Sequence, residues 1–323
     1  MIIILKGVVE MKEYIFGVDI GGTTVKLGLF KAGEQLLEKW EIKTRKELEG
    51  KYILKDIVET LEKKLEEKSI SKENVLGVGI GVPGPVKDDG TVLKCVNLGW
   101  GIFNIVEEVN KLIKLPVSAG NDANVAALGE MWQGGGKGYK NIVMVTLGTG
   151  VGGGIVIDGK IIPGSHGAGG EIGHIKVSDN ETECCGCGNK GCLEQYASAT
   201  GIVNLANKVL STTKTESKLR DFESLSAKDI FDSAKAGDEL ALTLVDDFSA
   251  NLGKALANIS CVIDPEIFVI GGGISKNGDV LIENIKKHFK DNAFHASGDT
   301  KFELAKLGND AGIYGAAKLI CEY

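Results

Sequence analysis

Thr146-Leu-Gly-Thr-Gly-Val-Gly-Gly-Gly154, followed by Ile155-Val-Ile-Asp-Gly159, is the stretch on which the fold turns. Residues 148–153 carry the spacing G-x-G-x-x-G. A dinucleotide-binding fingerprint of that form must open a helix, with the pyrophosphate on the helix N-terminus. The β-branched run Ile155–Ile157 reads instead as a second strand, so Ile142–Leu147, a glycine-rich turn and 155–157 make strand, loop, strand. Glycines between two strands leave backbone N–H groups pointing at an anion. Thr146, Gly148, Thr149 and Gly150 are the candidate phosphate contacts of this hairpin.

The chain opens on the same theme. Tyr14–Ile20 and Val25–Phe30 flank Asp19-Ile-Gly-Gly-Thr-Thr24, and Leu36–Ile42 adds a third antiparallel strand. Here Gly21, Gly22, Thr23 and Thr24 form the cradle, while Asp19 is placed to hold a cation beside a phosphate. Two such hairpins predict an internal duplication, with two similar halves facing each other across a cleft. A third cluster, Gly271-Gly272-Gly273, follows the apolar run Ile267–Ile270. At the carboxyl end of a buried strand it leaves room for a flat ring such as adenine, although a tight strand-to-helix turn has the same composition.

Between these landmarks, Ile53, Leu54, Ile57, Val58, Leu61 and Leu65 recur at helical spacing. Val75–Val82 reads as a buried strand ending in Pro83-Gly-Pro85, and Phe103–Ile113 as a short helix. A strand around Val117 stops at Gly120-Asn121-Asp122, and Ala123–Trp132 is helical. Asp122 suits a helix N-cap, and the same rigid junction would let it accept a proton from a substrate hydroxyl. The polar stretch 211–228 reads as a surface excursion.

Composition narrows the function. With 323 residues the chain has length for about two domains. Its 37 basic and 44 acidic residues give −7, without a Lys/Arg block to neutralise a row of phosphates, which argues against nucleic acid. Met1-Ile-Ile-Ile-Leu-Lys6 lacks the leader of a signal peptide, and Met11 is an alternative start. No window approaches the roughly 18 apolar residues that span a bilayer, so a cytoplasmic protein is expected. Four of the seven cysteines, Cys184, Cys185, Cys187 and Cys192, crowd one short segment. In a reducing compartment that crowding points to metal. Cys185, Cys187 and Cys192 with His174 would make a closed Cys3His zinc site, while Cys184-x-x-Cys187 is also acceptable spacing.

Together these pieces resemble the ROK group of sugar kinases and repressors, within the actin-like ATPase superfamily. The resemblance runs from about Tyr14 onward. It rests on Asp19-Ile-Gly-Gly-Thr23, Gly120-Asn-Asp-Ala-Asn124, the 146–154 loop, Glu171-Ile-Gly-His174 and Cys185-Gly-Cys-Gly-Asn-Lys-Gly-Cys-Leu-Glu194. It implies the duplicated, ribonuclease H-like α/β fold, with a small domain of 1–121 plus 306–323 and a large one of 122–305. It also implies Asp122 as general base, Asn97, Asn121, Asp122, Glu171, His174 and Glu194 around a sugar, and structural zinc on His174, Cys185, Cys187 and Cys192. This pattern passes over Cys184. One ring nitrogen of His174 would face metal and the other the substrate.

Glu194-Gln-Tyr-Ala-Ser198 is most similar to the ATP-dependent glucokinases, which implies ATP, Mg²⁺ and glucose phosphorylated at its 6-hydroxyl. Kinases for mannose, fructose, N-acetylglucosamine or N-acetylmannosamine keep the same framework. A sugar-responsive repressor is disfavoured, because only about a dozen residues precede the first strand. Similar kinases are commonly dimers or tetramers, so a homo-oligomer is expected.

Overall fold

In the computed structural model, which describes residues 12–31 and 35–321, the landmarks assemble into two five-stranded sheets. The choice between Met1 and Met11 lies outside the described residues. The first sheet contains β1 (Tyr14–Ile20), β2 (Thr24–Lys31), β3 (Gln35–Lys43), β4 (Val75–Val82) and β5 (Val117–Asn121). Its helices are α1 (Ile53–Lys68) and α2 (Ile105–Ile113), and α3 (Asp122–Gln133) follows β5. The second sheet contains β6 (Ile142–Leu147), β7 (Val151–Ile157), β8 (Lys160–Ile161), β9 (Ile267–Gly271) and β10 (Lys301–Leu304). Among these lie α4 (Ala199–Thr212), α5 (Ala227–Lys235), α6 (Glu239–Ile263) and α7 (Asp279–Asn292), and α8 (Ala311–Ile320) ends the chain.

The two sheets are wired alike. In the first the order is β3-β2-β1-β4-β5, with antiparallel β3-β2-β1 pairs and parallel β1-β4-β5 pairs. In the second it is β8-β7-β6-β9-β10, with the same senses. The duplication predicted from the hairpins is therefore present strand for strand.

Contacts divide the chain into two units. One runs to Gly129 and includes Pro163–Gly167 and everything from Asp310; the other comprises Glu130–Ile162 and Ala168–Asn309. Each has its own apolar core. Phe16, Val18, Ile57, Leu61, Val78 and Ile80 are among the buried residues of the first. Val143, Val145, Phe248, Leu252, Phe268 and Phe289 belong to the second.

In the first unit α8 lies on a row of glycines. Gly28, Gly17 and Gly79 are register partners across β2, β1 and β4. A Cβ on Gly17 would sit 2.0 Å from the Ile313 carbonyl oxygen, and one on Gly79 would sit 1.7 Å from that of Ala316. Absent side chains thus let helix backbone touch sheet backbone.

Two boundaries differ from the sequence reading. Val151–Gly154 belongs to the strand β7, not to the turn: Gly152, Gly153 and Gly154 pair with Thr146, Val145 and Met144. The helix expected from Phe103 begins at Ile105, because Phe103–Asn104 pairs with Thr91–Val92 and the Asn104 side chain caps α2 by accepting from the Glu107 N–H. The excursion 211–228 is tied to the second unit: Leu219 is buried in its core, and Arg220 donates to the carbonyls of Leu210, Thr213 and Thr215. Buried Asp238, the N-cap of α6, accepts from the Ser217 hydroxyl at 2.9 Å and the Lys218 N–H at 2.7 Å. No described helix is long and apolar enough to cross a membrane.

Candidate active site

In the first unit, Asp19 stands at the carboxyl end of β1, in register with Gly81 on β4, which is in register with Gly120 on β5. Asp19 and Asp122 therefore emerge at the same edge of the sheet, where open α/β sheets bind ligands. The turn after Asp19 closes by a Gly21 N–H to Thr24 carbonyl bond of 3.0 Å. Thr44, just past β3, clasps it: its hydroxyl donates to the Gly21 carbonyl at 2.7 Å and its N–H to the Thr23 carbonyl at 2.9 Å. The space beside Gly22 is open and Thr23 is exposed, so the cradle can take a phosphate.

Burial pushes the Asp19 carboxyl above its usual range, with Lys26 across the β1–β2 pair pulling it down in part. The carboxylate packs on the first turn of α8, where a Cβ on Gly312 would lie 2.5 Å from Asp19 Oδ2.

Asp122 is the first residue of α3. Its Oδ1 accepts the Ala123 N–H at 2.8 Å and the Asn121 Nδ2–H at 3.0 Å. Burial pushes the nearby Cys95 thiol up, and the Asp122 charge adds to that. Cys95 begins the tight turn Val96–Leu98, in which Asn97 is exposed between exposed Val96 and buried Leu98.

In the second unit, the β6–β7 turn is Gly148-Thr149-Gly150, closed by a Gly148 N–H to Gly150 carbonyl bond of 3.0 Å. The N-terminus of α4 holds it, Ala199 N–H donating to the Gly148 carbonyl at 2.8 Å. Thr146 stands in register with Gly271 on β9, and Gly272, at φ +85°, presses on Leu147, where a Cβ would meet the carbonyl oxygen at 2.4 Å. The third glycine cluster thus adjoins the β6–β7 strand pair beside the 148–150 turn and leads into a short 3-10 turn, Gly273–Asn277.

Glu194 reaches the same turn. A Cβ on Gly150 would stand 2.4 Å from Glu194 Oε2. A cavity of about 920 Å³ opens here, lined among others by Thr149, Gly150, Cys185, Glu194 and Tyr196.

His174, Cys185, Cys187 and Cys192 bring their ligand atoms within 4.8 Å of one another; Cys184 is exposed and is not part of that group. The Cys187 and Cys192 sulfurs are 3.7 Å apart, and Cys185 Sγ is 3.7 Å from His174 Nδ1. Tetrahedral zinc with bonds of about 2.3 Å to sulfur separates its sulfurs by roughly 3.8 Å, so the donor set fits that ion. His174 turns Nδ1 to this cluster and Nε2 toward Glu171, 3.8 Å from Oε2. Burial pushes the Cys185 thiol up to about 12, and it donates to Glu194 Oε1 at 2.9 Å. The cluster and the carboxylates Glu171 and Glu194 are one connected assembly.

Three residues that support these sites were given no role in the sequence reading. Thr44 clasps a turn 23 positions away. Gln195 accepts the Gly191 and Cys192 N–H groups at 2.9 and 3.0 Å and donates to the Glu183 carbonyl at 3.0 Å, bracing the cysteine loop. Ser198 caps α4 by accepting the Gly201 N–H at 2.9 Å. A serine before an apolar helix is a recognisable N-cap signal; Thr44 and Gln195 carry no comparable one.

Comparison with known proteins matches residues 15–322 to the ROK family. A glucokinase of Halalkalibacterium halodurans is 44% identical over 95% of this chain and 95% of its own. A glucokinase of Thermotoga maritima is 36% identical over 96% of this chain and 98% of its own. Among solved structures, a ROK family glucokinase from Streptomyces griseus in complex with glucose and AMPPNP superimposes with a TM-score of 0.70 at 32% identity, covering 96% of this chain and all of that one.

Proposed function

The chain belongs to the ROK family, and on that premise we propose that it is an ATP-dependent glucokinase in which Asp122 is the general base toward the 6-hydroxyl of glucose. The observation that carries the site is the contact of Glu194 with Gly150. An acceptor for sugar hydroxyls stands directly against a turn suited to phosphate, as transfer between a polyol and a nucleotide requires.

In this reading Asn97, Asn121, Asp122, Glu171, His174 and Glu194 bind the sugar. Carboxylates accept and carboxamides donate, so the set distinguishes the orientation of ring hydroxyls. The 21–24 and 148–150 turns, with Thr146, hold the phosphates of ATP, and Gly271–Gly273 give the adenine a flat surface. Mg²⁺, held near Asp19, supplies neutralisation of phosphate charge when bound. His174, Cys185, Cys187 and Cys192 would hold zinc with four protein ligands, and its part would be structural, steadying the segments that carry Glu171 and Glu194. ATP as donor places the work in the cytoplasm.

Asp122 takes the proton of the 6-hydroxyl, O6 bonds to the γ-phosphorus, and the bond to the β–γ bridging oxygen breaks, releasing ADP. Because the transition state is loose, positioning and electrostatics contribute most of the acceleration. Asp122→Asn is expected to lower kcat by at least about 100-fold while zinc content and melting temperature hold. A near-wild-type rate would remove Asp122 from this role. Across glucose, mannose, fructose, N-acetylglucosamine and N-acetylmannosamine, kcat/KM should be highest for glucose; a higher value for another sugar would move the substrate.

A further inference from the structure

Thr44, the first residue past β3, directs both of its donors at one turn. Its hydroxyl donates to the Gly21 carbonyl at 2.7 Å and its N–H to the Thr23 carbonyl at 2.9 Å, and the residue is buried. A peptide bond is planar and trans, so its C=O and N–H point opposite ways. Fixing the Gly21 carbonyl therefore turns the Gly22 N–H away from Thr44, and fixing the Thr23 carbonyl does the same to the Thr24 N–H. Gly21 and Gly22 have no side chains to hold one conformation, so the orientation has to be imposed from outside the turn. Thr44 is itself held on both sides. Lys43 before it is the register partner of Thr24. Arg45 after it donates from Nε to Asp56 Oδ2 of α1 at 2.6 Å, and its guanidinium lies 4.6 Å from the centre of the Tyr52 ring.

From this geometry we infer that Thr44 is a positioning residue for the nucleotide phosphates: it sets the direction of the N–H groups of the 21–24 turn without touching the nucleotide. Its one hydroxyl hydrogen and its N–H are both committed to the turn, which leaves it no donor for a phosphate. N–H groups already aimed at the phosphoryl oxygens stabilise their charge with no reorganisation at the moment of transfer. In a turn without the clasp, the nucleotide would have to order those groups itself, and binding and rate would both suffer. The inference rests on the reading of the 21–24 turn as a phosphate cradle in an ATP-dependent kinase.

Thr44→Val keeps the outline of the side chain and the N–H bond and loses only the hydroxyl. It is expected to lower kcat/KM for ATP roughly 10- to 100-fold, with KM for glucose within about 3-fold of wild type. Thr44→Ser, which keeps the hydroxyl and loses the methyl, is expected to recover most of that loss. A merely structural role would lower the melting temperature and leave kcat/KM for ATP of the folded enzyme where it was. Should Thr44→Val fail to fold, Thr44→Ala, which leaves room for water at the Gly21 carbonyl, reads the same split. In calorimetry, loss of the hydroxyl should weaken ATP and leave adenosine unchanged. A kcat/KM for ATP within about 3-fold of wild type, a KM for glucose raised in step with that for ATP, equal weakening of ATP and adenosine, or a Thr44→Ser as impaired as Thr44→Val overturns the inference. Wild-type turnover of glucose with ATP in the same assay keeps the two readings apart. No turnover defeats the glucokinase reading, whereas an active wild type beside an equally active Thr44→Val defeats the positioning role alone.

Discussion

Burial raises the Asp19 carboxyl and Lys26 offsets that only in part, so the ionised side chain is worse solvated in the folded protein than in the unfolded chain. The sign of the consequence follows from linkage. For an aspartate whose folded pKa is raised, the cost is absent below the unfolded pKa, sets in as pH rises through it, and is complete above the folded pKa. Asp19→Asn removes that cost. In nucleotide-free protein at neutral pH the variant should melt higher than wild type, with the gap closing as pH falls toward the ordinary aspartate range, while affinity for Mg²⁺·ATP drops. Melting curves across that range decide it: a variant less stable at pH 7, or a gap independent of pH, would contradict the account. The trade is familiar at functional sites, where a group is kept for a ligand at the expense of the apoprotein.

At the scale of elements, the glycines of the first sheet divide into those that helix α8 needs and those that it does not. Gly79 and Gly81 lie on the same face of β4, yet a Cβ on Gly79 would be 1.7 Å from the Ala316 carbonyl oxygen, whereas the nearest atom to one on Gly81 is 3.5 Å away. Backbone cannot yield as a side chain can. Gly79→Ala should therefore cost at least about 3 kcal/mol by urea unfolding, and Gly81→Ala should stay within about 1 kcal/mol, the smaller entropy of its unfolded chain offsetting part of any contact cost. Equal effects would mean that α8 is not seated on the glycine row. Strand, turn and helix identities were legible in sequence because alternation, glycine clusters and caps are local signals. The glycine row was not, since it exists only once register brings Gly28, Gly17 and Gly79 side by side. The strand character of Val151–Gly154 was hidden for a related reason: glycine lacks β propensity, and the pairing with β6 decides there.

For the whole molecule, the duplication was legible because each hairpin announces itself within 17 residues, 14–30 and 142–157, and the candidate site residues were legible where a motif names them. The supports of those residues were not: Thr44 and Gln195 act on backbone that only the fold brings to them. The two units carry separate cores, and the Cys3His cluster belongs wholly to the second. A structural zinc there adds its binding free energy to the folding of that unit. The cluster also adjoins the two carboxylates proposed to read the sugar: His174 Nε2 faces Glu171, and Glu194 follows the ligand Cys192 by two residues. Stripping the metal with a strong chelator should therefore lower the melting of residues 130–162 and 168–309 and weaken glucose binding in titration calorimetry, and hydrogen exchange should find the core strands β1 and β4 as protected as before. Equal loss of protection in both cores would mean that the units unfold as one. Retained glucose affinity after verified zinc loss would mean that the cluster does not hold Glu171 and Glu194 in place.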